Sequence, residues 1–237
     1  QHGRGHHHWQ AGGRAQQRLG TLNQTATGAH AIHGNVAFNN TGTVNVHAGT
    51  LTVGGGGTDT GLYAIDGGAT LNFAGGTRNL NANANISGAG TVVVSGASVN
   101  VGAALDLSTS GTALAISAGG FGINTGINVI AGAVTLSGGA LGGAGAITVK
   151  GAFNVTGQSA LSGTGSLTTQ GTSSVSMTAV NGFVSILNGY TWVNQGTLTV
   201  DGDERIYFGW NNNFSTSGTN TLTNAAGATL NLSSTHG

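Results

Sequence analysis

One phrase recurs along most of this chain: a glycine, a small polar residue, and then apolar and polar residues in alternation. It reads GTVNV at residues 42–46, GTLTV at 49–53, GATLNF at 68–73, GTLTV again at 196–200 and GATLNL at 227–232. Successive apolar pairs are about 19 to 23 residues apart, which is typical of stacked repeat units. Alternation indicates β-strands with one apolar face, and a unit this short buries that face only by stacking on its neighbours. The sequence therefore predicts an all-β fold, a β-solenoid with coils of about 20 residues.

Composition agrees with this fold and narrows the chemistry of the chain. The 237 residues include 46 glycines, no proline and no cysteine, and only 5% are charged. Glycine suits coil corners that need a positive φ. A flexible Gly/Ser linker is the alternative, but the apolar residues recur in register. The absence of cysteine excludes disulfides and thiolate metal sites. No apolar run is long enough to cross a membrane as a helix.

Three regions are predicted. Residues 1–35 are rich in His and Arg, contain no acidic residue, and are expected to form an arm that is extended or docks on a neighbouring molecule through Trp9. His6, His7 and His8 are weak metal candidates, because neighbouring residues of a strand point to opposite sides. A flexible or processed leader is the competing interpretation.

Residues 36–177 are the most regular region and are predicted to form the solenoid proper. Asparagines between two apolar residues should point outward. They are Asn45, Asn72, Asn100, Asn154 and Asn231. The residues expected to point inward are Val36, Phe38, Val44, Val46, Leu51, Val53, Leu71, Phe73, Val92, Val94, Val99, Val101, Leu105, Leu107, Leu114, Ile116, Val134, Leu136, Ile147, Val149, Phe153 and Val155.

Residues 178–237 are predicted to continue the solenoid with more aromatic side chains. Tyr190, Trp192, Tyr207 and Trp210 are the candidates for a sugar-binding or protein-binding platform. The competing interpretation is a wider coil with a larger core, because the pairs Tyr190/Trp192 and Phe208/Trp210 keep the two-residue spacing of a strand. Asp201 and Asp203 are weak candidates for a hard cation, and a solvated turn is the alternative.

Motifs of catalysis are missing. Residues 54–62, GGGGTDTGL, come close to a calcium-binding nonapeptide, but the copy is single and imperfect, so it is interpreted as a glycine turn. Asp59 and Asp66 are close enough in sequence to approach each other, but no basic partner is nearby in sequence. The nucleophile-elbow, zinc-protease and P-loop patterns are absent, and the net charge of zero argues against nucleic-acid binding. We therefore expect no enzyme activity, no cofactor, no nucleic-acid partner and no membrane insertion of this segment.

Several phrases resemble those of a known group of proteins. They are ISGAGTV at 86–92, LGGAGAI at 141–147, LSGTGSL at 161–167, WVNQGTL at 192–198 and NAAGATLNL at 224–232. They resemble bacterial surface adhesins of the filamentous-haemagglutinin-like and autotransporter-passenger type, over about residues 40–237. The resemblance implies a right-handed parallel β-helix, export to the cell surface, and a role in adhesion or in an extracellular matrix such as that of a biofilm. It offers no catalytic residue.

The function expected from these features is structural. No amphipathic cap helix is apparent, so the solenoid ends should expose strand edges that can pair with another copy. The leading expectation is an extracellular solenoid that associates end to end into a surface fibre or matrix filament. A carbohydrate-binding adhesin module that contacts surface glycans is the alternative. An ice-binding solenoid ranks third, since Thr-x-Thr pairs occur but do not recur on every coil.

Overall fold

All regular elements in the described part of the chain are β-strands. The computed structural model describes residues 16–18, 20–102, 105–107, 111–178, 182–201, 204–211, 214–215 and 218–233. The strands of the first half are β1 (Gln16–Arg18), β2 (Thr21–Gln24), β3 (Ala29–Ile32), β4 (Phe38–Asn40), β5 (Thr43–Val46), β6 (Thr50–Val53), β7 (Gly57–Asp59), β8 (Leu62–Ile65), β9 (Thr70–Phe73), β10 (Thr77–Leu80), β11 (Asn85–Gly88), β12 (Thr91–Val101), β13 (Asp106–Leu107), β14 (Ala113–Ile123) and β15 (Ile127–Ile130).

The second half continues the same arrangement. Its strands are β16 (Val134–Leu136), β17 (Ala140–Gly142), β18 (Ala146–Val149), β19 (Phe153–Val155), β20 (Ser159–Ser162), β21 (Ser166–Thr169), β22 (Thr172–Val175), β23 (Phe183–Leu187), β24 (Thr191–Asn194), β25 (Thr197–Val200), β26 (Arg205–Phe208), β27 (Trp210–Asn211), β28 (Phe214–Ser215), β29 (Thr221–Asn224) and β30 (Thr229–Leu232). Only β27 and β28 pair antiparallel among the strand pairs described.

The parallel strands stack into three faces, so the predicted β-solenoid is confirmed. Face 1 contains β1, β4, β7, β10, the second part of β12, the second part of β14, β17, β20, β23 and β26. Face 2 contains β2, β5, β8, β11, β13, β15, β18, β21, β24 and β29. Face 3 contains β3, β6, β9, the first part of β12, the first part of β14, β16, β19, β22, β25 and β30. Each coil therefore contributes one short strand to each face.

Two long strands bend around a corner between faces 3 and 1. In β12, residues 91–94 pair with β9 on face 3, and residues 98–101 pair with β10 on face 1. The register between β12 and β14 shifts at Val94/Ser95 and again at Ser95/Ser98, which marks a bulge at the bend.

Glycine is required where a corner passes close to the coil next to it. Gly49 has φ +62°, and a Cβ atom there would lie 2.2 Å from the carbonyl oxygen of Gly28. The predicted role of glycine at corners is confirmed at this position. Asn188 also adopts a positive φ of 62°, a conformation that asparagine tolerates better than most residues. Its Nδ2 donates to Ser162 Oγ one coil away, at 2.9 Å.

The core consists of rows of apolar side chains stacked along the solenoid axis. One row of face 3 runs through Leu51, Leu71, Val92, Leu114, Val134 and Phe153, and all six are buried. Every residue predicted to point inward is buried except Val36, which is 42% exposed. Val36 lies between β3 and β4 in a turn closed by its N–H and the carbonyl of His33, so it takes no part in the strand alternation.

Ladders of uncharged side chains run along the outer surface, and the outward orientation predicted for the asparagines is confirmed. Asn45 Nδ2 donates to Asn23 Oδ1 at 2.8 Å, and Asn100 Nδ2 donates to Asn79 Oδ1 at 3.0 Å. Ser174 Oγ bonds Asn154 Oδ1 at 2.9 Å in the same way. Each pair joins adjacent coils, so the outer side chains reinforce the stacking without charge repulsion.

The solenoid begins earlier in the chain than the predicted arm allowed. β1, β2 and β3 form a first coil within residues 1–35, and they pair with β4, β5 and β6 respectively. The predicted boundary at residue 36 is therefore wrong for this described part, because residues 21–32 already have the alternation of a strand pair. At the other end, β26, β29 and β30 form the last described coil. These two sets of strands are called the first coil and the last coil below.

Candidate functional surfaces

An ion pair lies inside the solenoid between β7 and β10. Arg78 Nη1 donates to Asp59 Oδ2, and both side chains have no solvent exposure. The guanidinium also donates to the carbonyls of Phe38 and Gly55, each at 3.1 Å. The other carboxylate oxygen of Asp59 accepts the N–H of Asn40 at 2.8 Å. Multiple hydrogen bonds of this kind are what a buried pair of charges requires.

The residues around Arg78 explain how a long cation fits into an apolar row. The position opposite Arg78 in β7 is Gly57, which has no side chain to compete for the space. The guanidinium carbon lies 5.3 Å from the ring centroid of Phe73 and 5.9 Å from that of Phe38. Aromatic faces at these distances attract a cation. The cation is therefore enclosed by carbonyls, one carboxylate and two rings.

Tyr63 completes this buried cluster. Its hydroxyl lies 3.4 Å from Arg78 Nη1, and its ring packs edge-on against Phe73 with centroids 5.7 Å apart. Burial, and then the negative charge of Asp59, raise the pKa of Tyr63 well above its usual value. Tyr63 is therefore a neutral phenol at physiological pH. Because the whole cluster is closed to solvent, no ligand reaches it while the coils stay stacked.

Two sequence predictions are corrected by this cluster. Residues 57–59 form strand β7 rather than part of a glycine turn, since Asp59 is drawn into the core by its partner. Asp59 and Asp66 also do not meet each other. Asp59 pairs with Arg78, and Asp66 Oδ2 lies 2.8 Å from Nδ1 of His47 on the surface. Each partner is 19 residues away in sequence, close to one coil. The repeat period, applied to the charged residues, could have found both pairs.

Tyr190 and Trp192 lie in the core, so the prediction that they form part of a surface platform is wrong. Both are fully buried, at inner positions that their two-residue spacing puts on the same side of the chain. Trp192 packs edge-on against Phe153 with centroids 5.3 Å apart, and its Nε1 donates to Thr169 Oγ1 at 3.1 Å. Burial raises the pKa of Tyr190 above its usual value. The competing interpretation, a coil with a larger core, holds for this pair.

Tyr207 and Trp210 do meet on the outer surface, together with Phe183. The centroids of Tyr207 and Trp210 are 4.6 Å apart in an edge-on arrangement, and Phe183 lies 5.2 Å from Tyr207. Trp210 is 39% exposed, and Arg205 Nη1 donates to the Tyr207 hydroxyl at 3.2 Å. Phe183, Tyr207 and Trp210 are called the aromatic cluster below. It presents apolar ring surface beside a cationic side chain.

The predicted metal candidates are not brought together in the described residues. His6, His7, His8, Trp9 and Asp203 lie outside those residues. Asp201 is exposed and accepts a hydrogen bond from Ser233 Oγ at 3.1 Å, while Glu204 Oε1 accepts the N–H of Met177 at 2.7 Å. Across the described residues, no three His, Asp or Glu side chains converge in a way that could hold a metal ion.

The two end coils expose strand edges and core positions. In the last coil, Leu232 is 76% exposed, and Leu230 and Phe208 are also exposed, although the residues paired with them on the coil beneath, Val200, Leu198 and Ile186, are buried. Among the described strands, β29 pairs only with β24, and β30 only with β25. In the first coil, β2 pairs only with β5, and β3 only with β6. Within the described residues, each of these four strands therefore pairs along one backbone edge only.

Comparison of the chain with protein-family models, with curated proteins and with solved structures finds no match in any of the three. The described residues include no helix long and apolar enough to cross a membrane. The surfaces themselves are therefore the basis for a functional proposal.

Proposed function

We propose that this chain is a structural and adhesive β-solenoid of an extracellular bacterial surface or matrix, and that it assembles end to end into a filament. The observation that carries this proposal is made at the two end coils. Among the described strands, β2, β3, β29 and β30 pair on one side only, and inner positions of the last coil hold the exposed Leu230 and Leu232. Burying apolar side chains and satisfying edge hydrogen bonds both favour a further coil on each end. The occupant to which we commit is a second copy of this chain.

The outer faces support the same role. Ladders of Asn, Ser and Thr join the coils, as in the pairs Asn23–Asn45 and Asn154–Ser174. Hydrogen bonds between outer side chains and apolar packing along the axis both hold adjacent coils together. A rod built in this way should resist bending and local unfolding, as a surface fibre must. The phrases that resemble bacterial surface adhesins agree with this assignment and with export from the cell.

The assembly is tested by sedimentation velocity and negative-stain microscopy of the full chain over a range of concentrations. We expect rods whose length grows with concentration. Leu232→Asp should abolish the growth, because it puts a charge into the contact between copies. Asn231→Asp is the matched control: it adds the same charge to the same strand on the outward side, and growth should persist. Short rods of one length at high concentration would contradict the proposal.

The aromatic cluster supports a second candidate function, binding of carbohydrate. Sugar rings stack their C–H faces on exposed aromatic rings, and Arg205 beside Tyr207 supplies a hydrogen-bond donor close to that surface. On a glycan array we expect binding that Trp210→Ala removes. Phe208→Ala should retain it, since Phe208 belongs to an inner row of the last coil, opposite Ile186. Absence of glycan binding would leave the filament as the sole proposal. No comparable observation favours ice binding, and that expectation stays a prediction.

A further inference from the structure

The two end coils match each other on faces 2 and 3, where β29 and β30 correspond to β2 and β3. They differ on face 1, because the pair β27–β28 lies between β26 and β29 while only residues 19–20 lie between β1 and β2. We propose that copies join in one register, with β30 of one copy against β3 of the next and β29 against β2, and that burial of His30 makes this joint sensitive to acid. This inference rests on the proposed end-to-end assembly. It adds which residues meet and what regulates the contact.

The corners of the two end coils have the same length and the same kind of closure. Residues 25–28 separate β2 from β3, and residues 225–228 separate β29 from β30. Gln24 Nε2 donates to the carbonyls of Ala26 and Gly28, at 2.9 and 3.3 Å. Asn224 Nδ2 donates to the carbonyl of Ala228 at 3.2 Å. An amide at the equivalent position therefore closes each corner, and one coil can stack on the other without rearranging it.

The backbone N–H and C=O groups that lie on the free edges of β3 and β30 also match in position. Within the chain, the N–H of Thr50 donates to the carbonyl of Gly28, and the N–H of Gly54 to that of Ile32. Backbone groups of successive residues alternate between the two sides of a strand, so those of Ala29 and Ala31 face away from β6. In β30, the N–H of Thr229 donates to Gly196, so the groups of Leu230 face away from β25. Translation of one copy then directs the N–H of Ala31 to the carbonyl of Leu230.

The inner rows continue across this joint. Thr21 takes the position over Thr221, so Leu222 lies under Leu22 and Leu232 lies under Ile32. All four are at inner positions, since Leu22 pairs with Val44, Ile32 with Val53, Leu222 with Trp192 and Leu232 with Val200. A shift by one residue would turn the leucines to the outer side. The contact is head to tail, so it repeats without closing and yields an open filament.

His30 is the one polar residue that this register places in an apolar row of face 3 at the joint. It is exposed in the free chain, at the position that pairs with buried Leu51, and the joint covers it with Leu230. Its register partners are Leu51 within the chain and Leu230 across the proposed joint, and neither of them titrates. Two other titratable or charged residues belong to the described part of the first coil: His33 is exposed and outside the row, and Arg18 belongs to β1 on face 1. A protonated imidazole loses its hydration there without gaining a partner, so acid should open the joint.

The register is tested with cysteine pairs, which a chain without native cysteine allows. The variant Asn23→Cys with Thr223→Cys places both thiols on the outer side, directly opposite across the joint. Under oxidation it should give a ladder of covalent oligomers. The pair lies at opposite ends of one copy and cannot close within it. The control, Asn23→Cys with Asn224→Cys, puts one thiol on the inner side and should give few oligomers. Equal ladders, or a ladder in the control alone, would overturn the register.

The acid sensitivity is tested by sedimentation of the full chain at pH 8 and pH 5. Histidine side chains usually titrate between these values. We expect the association constant to be about tenfold lower or more at pH 5, because a charged His30 must be buried. His30→Leu should assemble equally at both pH values, and His33→Leu should keep the wild-type response. A His30→Leu variant that stays acid-sensitive would overturn the role of His30. No assembly of any variant at either pH would overturn the proposed function itself.

Discussion

Arg78 Nη1 lies 2.6 Å from Asp59 Oδ2, and the two residues occupy adjacent coils at positions that are otherwise part of a dry core. The pair ties β10 to β7, and through the carbonyl of Phe38 it also reaches the coil before. A one-residue slip of any of these strands would leave a buried charge alone. The pair therefore favours one register over its alternatives, a role best attested for buried polar groups in other repetitive folds.

Removal of one partner should destabilise the fold strongly. In Arg78→Met, Asp59 keeps its burial and loses its cation, and we expect the free energy of unfolding to fall by about 3 to 5 kcal/mol. Urea denaturation followed by circular dichroism measures this change. The double variant Asp59→Leu with Arg78→Met removes both charges, and it should recover much of the loss. A single variant within about 0.5 kcal/mol of the wild type would show that the pair is not structurally important.

The sequence contains enough to place Arg78, although local motif inspection does not find it. The segment Thr77-Arg78-Asn79-Leu80 alternates, and Leu80 points inward, so Arg78 shares its side. Its carboxylate partner is a coil away and invisible to a search of neighbouring residues. The fold could be predicted because stacking repeats one local pattern many times. The ion pair occurs once, so it is found only when the repeat period is applied to the charged residues, which places Asp59 and Arg78 about one coil apart.

The aromatic residues likewise include some whose positions follow from the strand pattern and one whose position does not. The alternation of inward and outward residues along a strand is enough to distinguish the buried Trp192 from the outward-facing Tyr207, because Tyr207 lies between the inward-facing Ile206 and Phe208. The same alternation does not predict the position of Trp210. That residue belongs to the short antiparallel pair β27–β28, which interrupts the coil. The aromatic cluster could therefore be predicted only in part.

The two buried tyrosines should respond differently to loss of the hydroxyl. Tyr190 Oη is buried without a hydrogen-bond partner, so Tyr190→Phe removes an unsatisfied group and should leave stability unchanged or raise it by up to about 1 kcal/mol. Tyr63 Oη accepts a hydrogen bond from Arg78, so Tyr63→Phe should cost about 0.5 to 1.5 kcal/mol. Thermal and urea unfolding of both variants measure the difference. The reverse order of stabilities would contradict the structure.

Alkaline pH should unfold the chain through the same two residues. The pKa of Tyr63 and that of Tyr190 are raised in the folded state, so the folded chain keeps protons that the unfolded chain releases. Their contribution to stability is complete below the unfolded pKa of about 10 and is lost as pH rises beyond it. We expect a decline of up to about 1.4 kcal/mol per pH unit for each tyrosine. Urea titrations between pH 8 and 12 measure it, and the double Phe variant should show a shallower slope.

Corner glycines should fall into two classes when they are replaced by alanine. Gly49 combines φ +62° with a backbone oxygen 2.2 Å from the added Cβ, so Gly49→Ala should cost at least about 1 to 2 kcal/mol from the left-handed backbone alone. Gly67 is the matched control in a nearby corner, where the nearest atom to an added Cβ is 3.9 Å away. Gly67→Ala should change stability by less than about 0.5 kcal/mol. Because both changes add one methyl group, the difference in their unfolding free energies isolates the backbone requirement. Equal effects of the two substitutions would show that the corner at Gly49 relaxes, and that close stacking does not require glycine there.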